Sequence, residues 1–258
     1  MMARGSIVLA LLPAMATALA RLPVAQRSPV VAIRAHPQPR MSLMSAANVW
    51  CPLAGVFTSN ALYCSPLAAV LERDKAGSMG DLNPLPAAVT VLSSAAWLQY
   101  GLSVANPYIV ASNVPGVVAS IAGFVIMLPL MMGSSKLKLV QGTFVAGCAA
   151  TLGLWTWLIF SGMEAAARST TLGLWASALF IVLCSSPLSS MRQIITSRDA
   201  SSVYAPMTAA QCLNCGLWTF YGVFAIGDVF VWGPNLVGLL LGITQIGLKL
   251  YFPSKKEE

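Results

Sequence analysis

The chain has 258 residues, 57% of them hydrophobic and only 9% charged, with a mean hydropathy of +0.75. A soluble domain carries about 25% charged residues to coat its aqueous surface, so a soluble globular protein is excluded and a surface facing lipid is indicated. The net charge of +7 is not a nucleic-acid footprint: five basic residues (Arg4, Arg21, Arg27, Arg34, Arg40) fall in the first forty positions, and most of the others sit in short loops.

At the N-terminus, Arg4 precedes an apolar run from Ile7 to Ala20 that closes on the small-residue pattern Ala18-Leu19-Ala20. That is the pattern of a signal peptide over about residues 1–20. Residues 21–45 follow, rich in Arg, Pro, Ser and Ala and free of acid, as transit peptides are. Residues 1–45 are therefore expected to be a targeting extension. A two-stage address to a plastid with extra membranes is one reading; an ordinary secretory signal and a single transit peptide are the others.

Seven apolar segments come next, near 46–71, 84–102, 107–132, 138–161, 171–195, 204–223 and 229–252. Each is close to the roughly 20 residues a helix needs to cross a bilayer. Polar connections run from Glu72 to Asp81, Gly133 to Lys136, Gly162 to Thr170 and Met191 to Ser202, and residues 253–258 form a short tail. The six cysteines lie within or beside apolar spans, against a secreted disulfide framework. Cys212-x-x-Cys215 falls inside a predicted span, where buried small residues are favoured over redox chemistry. The single histidine, His36, lies in the extension, so the membrane body offers no imidazole for a metal site or for acid–base work. No metal, no cofactor, no nucleic-acid partner and no enzymatic activity is expected.

With seven spans, Arg73, Lys75, Lys136, Lys138, Arg192, Arg198, Lys249, Lys255 and Lys256 all fall on one side, against Arg168 on the other. This positive-inside bias predicts a cytosolic C-terminus.

The body also repeats itself. Tyr63-Cys64-Ser65-Pro66-Leu67 recurs around Leu183-Cys184-Ser185-Ser186-Pro187-Leu188, with the prolines 121 positions apart. Trp97-Leu98-Gln99-Tyr100-Gly101 recurs as Trp218-Thr219-Phe220-Tyr221-Gly222 at the same offset, and Asn113-Val114-Pro115-Gly116 as Asn235-Leu236-Val237-Gly238 at 122. The expected architecture is all-α: a three-helix unit over 46–133, a linker helix over 138–161 and a second unit over 171–252. One intervening span makes the two units parallel, an arrangement that places substrate near the bilayer midplane between them.

In order and in duplicate, these landmarks resemble the SWEET family of bidirectional sugar transporters over roughly residues 50–252. The second copy adds Ser-Pro-Leu-x-x-Met-Arg (Ser186 to Arg192) and Pro234-Asn235 with Gly238 and Gly242. The resemblance implies a uniporter working by alternating access, with a sugar and the bilayer as its partners and a homo-oligomer as its assembly. A neutral sugar needs neutral donor–acceptor groups and flat aromatic faces. By resemblance Asn113, Asn235, Trp97 and Trp218 line the pocket. Asparagine can also tie helices together and tryptophan can sit at the interface, but placement in matched pairs favours the pocket. Ser93 and Asn214, one turn before each tryptophan, and Leu62 and Leu183, one turn before the Ser-Pro prolines, are the positions that tune pocket size in the family. In the family bulkier occupants go with monosaccharides; here Leu62, Leu183 and Asn214 are large and Ser93 is small, which leans to a hexose over sucrose.

Pro66, Pro86, Pro187 and Pro206 are, by resemblance, the hinge set of the two bundles; Pro206 stands 15 residues before Tyr221, against 14 for Pro86 and Tyr100. Asp228 is, by resemblance, part of an outer gate with Tyr100; the other reading is an acid complementing a helix N-terminus. Its counterpart near Asn106 carries no charge. The spans hold few ionisable groups, and a proton- or sodium-coupled carrier usually has a buried carboxylate, so passive transport is expected. The alternative is a related two-bundle carrier for an amino acid or similar solute. That group places Pro-Gln at the kink, and the only Pro-Gln here, Pro37-Gln38, lies in the extension. A seven-helix receptor or retinal protein fits neither the repeat nor the short loops. The membrane of residence is left among plasma membrane, endomembrane and plastid membrane.

Overall fold

The computed structural model describes residues 45–80 and 82–252; the signal-like and transit-like segments and the tail with Lys255 and Lys256 lie outside the described residues. A π-helical turn, Ala46–Trp50, leads into α1 (Cys51–Ala76), followed by α2 (Leu85–Ser103), α3 (Pro107–Leu130) and α4 (Leu137–Phe160). The fifth span is α5 (Ala165–Leu183) continued by α6 (Ser185–Ser197). The sixth is α7 (Ala205–Tyr221) with a π-helical turn at Gly222–Ile226, and the seventh is α8 (Val229–Tyr251).

α3 packs between α1 and α2, and α8 packs against α7 and the fifth span. The two three-helix bundles meet where α1 faces α7 and α2 faces α5, while α4 packs on α2. Among the described residues the fold is thus seven helical spans in a 3+1+3 arrangement, two parallel bundles and a linker. Phe57, Phe160 and Leu250 are among the large apolar side chains left exposed; on a membrane helix such side chains meet lipid tails at no cost.

Local chemistry sets the ends of the helices. α1 runs beyond the expected 71 to Ala76, where Gly77 takes the left-handed conformation (φ 67°) and receives the last turn. The fifth span starts at Ala165 instead of 171, so the connection expected through Thr170 is shorter. Ala165, Ala166 and Ala167 are strong helix formers and extend the span past its apolar stretch. Asn106 caps α3 by accepting from the backbone N–H of Tyr108 and Ile109 at 3.1 and 3.2 Å. Asp228 caps α8 by accepting from Phe230 N–H at 2.9 Å.

Among the described residues, six helical segments are long and apolar enough to cross a membrane, and α2 is not among them. Its polar residues face protein: Ser93 and Ser94 are buried, as are Ala88, Val91, Leu92, Ala96, Trp97 and Tyr100. The largest core cluster joins Trp97, Tyr100, Ile109, Leu158, Leu172, Trp218, Tyr221 and Val231, at the end of the bundle where α2 and α7 finish.

The four prolines fall into two kinds. Pro66 is inside α1 and cannot donate to the Leu62 carbonyl; the Ser65 hydroxyl donates to that oxygen at 3.4 Å. Pro187 follows the break at Cys184 between α5 and α6, where its missing N–H leaves the Leu183 carbonyl without the helical bond. Pro86 and Pro206 stand in the first turns of α2 and α7, where no helical donor is lost.

Candidate functional site

Between the bundles lies a cavity of about 630 Å³. Its lining includes all eight residues expected to contact substrate: Leu62, Ser93, Trp97, Asn113, Leu183, Asn214, Trp218 and Asn235. Pro66 and Pro187 line it too, whereas Pro86 and Pro206 do not. Leu62 and Leu183 are the residues whose carbonyls those two lining prolines release. The walls mix apolar surface with hydroxyls and carboxamides, and among the described residues no Lys, Arg, Asp or Glu lines them. Such a surface suits a neutral, hydroxyl-rich ligand.

Each carboxamide is oriented by its own helix. Asn113 donates through Nδ2 to the Ile109 carbonyl at 2.9 Å and to Ser112 Oγ at 3.0 Å. Asn235 donates through Nδ2 to the Val231 carbonyl at 2.8 Å. Ile109 and Val231 stand at the 122-residue offset, so the two asparagines are held by one device used twice.

The tryptophans are not held alike. Trp218 Nε1 donates to Ser59 Oγ at 3.0 Å. Ser59 Oγ in turn donates to Asn214 Oδ1 at 2.9 Å, and Thr58 Oγ1 to the same oxygen at 2.8 Å. This seam stitches α1 to α7. At the matching positions on the other interface stand Leu179 and Phe180, and Trp97 makes no hydrogen bond among the described residues. Ser59 is a site residue missed in the sequence, although it precedes Tyr63 by one helical turn on the face that also carries Leu62.

One end of the cavity is sealed by aromatics. Tyr100 packs edge-on against Trp97 and Phe230, with ring centroids 5.8 and 5.9 Å apart. Tyr221 packs the same way against Trp218 and Tyr108, at 5.9 and 5.8 Å. The Tyr100 hydroxyl donates to Asp228 Oδ2. Asn106 Nδ2 donates to the Tyr221 hydroxyl at 2.7 Å. Both bonds cross from one bundle to the other. Asp228 therefore does two jobs, capping α8 with Oδ1 and holding Tyr100 with Oδ2. Behind each tyrosine the following glycine carbonyl accepts from the capping residue's N–H, Asn106 to Gly101 and Asp228 to Gly222, both at 2.9 Å.

At the other end the lining runs to Val70, Met127, Ser190 and Gln245 and includes Ser202, an exposed residue between α6 and α7. The cavity is thus closed at the tyrosine end and reaches the surface at the end where Arg73, Lys136, Arg192 and Lys249 lie.

A family model described as "Sugar efflux transporter for intercellular exchange" matches residues 51–134 and again 170–257. The bidirectional sugar transporter SWEET7 of Arabidopsis thaliana is 25% identical over 209 residues, covering 79% of this chain and 80% of its own length. The sugar transporter SWEET1 of Rattus norvegicus is 24% identical over 217 residues, covering 84% and 96%. A solved structure of a eukaryotic SWEET transporter superposes with a TM-score of 0.72 at 25% identity, covering 82% of this chain and 99% of that one.

Proposed function

We infer the activity from one premise: the chain belongs to the MtN3_slv family, the sugar efflux transporters for intercellular exchange. We propose that it is a bidirectional sugar uniporter, a carrier and not an enzyme, that moves a hexose by alternating access. The observation that carries this reading is the uncharged cavity between the bundles, with Asn113 and Trp97 of one bundle and Asn235 and Trp218 of the other in its walls. The carboxamides meet sugar hydroxyls, and the indole faces meet the C–H face of the ring.

Alternating access needs a site exposed to one side at a time. The Tyr100–Asp228 bond supports Tyr100 and Asp228 as an outer gate that is shut in this conformation. The opposite mouth lies at the basic end, which the charge bias assigns to the cytosol together with the C-terminus. Pro66 and Pro187, at the cavity wall, are the hinges about which each bundle rocks, with Pro86 and Pro206 at the starts of the neighbouring helices. The internal repeat, supported by the two separate family matches, makes the two rocking units alike. A homo-oligomer with one pathway per protomer completes the proposal. Residues 1–45 serve as the address, and a fluorescent fusion lacking them should lose its normal placement; unchanged placement argues against it.

The direct test is uptake of labelled glucose, fructose and sucrose by proteoliposomes, with and without a pH gradient. Glucose should equilibrate at a rate indifferent to the gradient. Proton-driven accumulation overturns uniport, and uptake of an amino acid in place of every sugar overturns the substrate class. Changing Asn113 or Asn235 to Ala should abolish uptake in folded protein.

A further inference from the structure

The two asparagines at the cavity wall are set in the same way by their own helices but not by their neighbours. Tyr63, on α1, donates its hydroxyl to Asn113 Oδ1 at 3.1 Å. Its ring lies against Gly116, where a Cβ would stand 2.6 Å from Tyr63 Cε2; only glycine leaves room for the ring at this depth. The residue at the 121-residue offset from Tyr63 is Cys184, whose thiol is a weak donor on a much shorter side chain. No hydroxyl reaches Asn235 in the second bundle among the described residues.

The donor and acceptor inventory follows. A carboxamide has two N–H donors and two acceptor lone pairs. Asn113 has committed both hydrogens, to Ile109 and Ser112, and one lone pair, to Tyr63. It keeps a single acceptor site. Asn235 has committed one hydrogen, to Val231, and keeps a donor and two acceptor sites. The Tyr63 oxygen, having given its hydrogen away, presents lone pairs to the cavity it lines, and donation to Asn113 makes that oxygen a better acceptor.

We propose that Tyr63 is a specificity-determining residue of the site: its hydroxyl fixes Asn113 as an acceptor and itself accepts from the substrate. The Asn113–Tyr63 pair then recognises sugar hydroxyls as hydrogen donors, while Asn235 in the second bundle serves them in either sense. The site is polar on both flanks yet directional, which lets one ring orientation prevail although the bundles are alike. This inference rests on the cavity being the sugar site.

The test compares wild type, Tyr63→Phe and Asn113→Ala in proteoliposomes, using glucose and a panel of its monodeoxy and monodeoxyfluoro analogues. Phenylalanine keeps the ring on Gly116, and an unchanged melting temperature verifies the fold. Tyr63→Phe is expected to raise the KM for glucose about fivefold, the size of one neutral hydrogen bond, with turnover retained. At one ring position, loss of the sugar hydroxyl should cost wild type several-fold more than it costs Tyr63→Phe. A fluoro analogue, which cannot donate, should behave there like the deoxy sugar. Equal penalties in both proteins at every ring position overturn the proposal, because a merely structural tyrosine changes all analogues alike. Full glucose transport by Asn113→Ala is a separate outcome: it removes the sugar site itself and the inference with it.

Discussion

Asn106 holds Tyr221 from across the bundle interface at 2.7 Å, at the position equivalent to the Asp228 that holds Tyr100. The two bonds make a double seal of unequal strength. A neutral hydrogen bond contributes about 1 kcal/mol net, and one to a charged group about 1.5–3 kcal/mol. Tyr100→Phe should therefore shift the protein toward the state open at the tyrosine end by tenfold or more, and Tyr221→Phe by about fivefold. The readout is labelling of an Ile109→Cys probe by an impermeant thiol reagent added on that side, in a background lacking the six native cysteines. Equal effects of the two variants contradict the unequal seal.

The glycines that follow the two tyrosines are close-approach positions. A Cβ at Gly222 would stand 2.7 Å from the Trp232 backbone nitrogen, and one at Gly101 would stand 3.1 Å from that of Val110. Backbone cannot swing aside as a side chain can, so Gly222→Ala should destabilise by about 1–3 kcal/mol, with Gly101→Ala milder. Gly153→Ala, on α4 with nothing within 4 Å, is the control and should melt at or above the wild-type temperature in detergent.

Trp218 is anchored through Ser59, and Trp97 is not. Trp218→Phe should cost about 1 kcal/mol in thermal stability and loosen Asn214, raising the KM for sugar. Trp97→Phe keeps an aromatic face and loses no hydrogen bond, so its melting temperature should stay near wild type. A larger loss from Trp97→Phe in the same melting experiment argues against the seam.

Pro66→Ala restores a donor to the Leu62 carbonyl and removes the steric reason for a bend in α1. Melting temperature should hold or rise, while turnover falls several-fold because the bundle has lost a flexing point. Turnover equal to wild type takes Pro66 out of the hinge set.

Much of the arrangement is legible in the chain because its periodicity is doubled. Asn113 and Asn235 can be paired by offset alone, and Pro66 and Pro187 mark the cavity wall by where they fall. Tyr100 pairs with Asp228 through family likeness. Asn106 looks inert by comparison because it lacks charge, yet the 122-residue offset points straight at it. Ser59 and Tyr63 are harder to read: they act across helices, and nothing in the order of residues says which face of α1 meets α7 and which meets α3. Helix ends such as Ala165 depend on alanine propensity beyond the apolar stretch, which hydropathy does not report.

The burial of α2 bears on how the protein is made. A helix that carries Ser93 and Ser94 relies on its neighbours to keep them from lipid. It becomes a stable span when α3 covers one side of it and α4 and α5 the others. During synthesis, α2 is made before α3, α4 and α5, the helices that cover it. The helix that carries Trp97 and Tyr100 is thus fixed in place by later-made parts of the chain, so a truncated product that stops after α2 has no lasting membrane core.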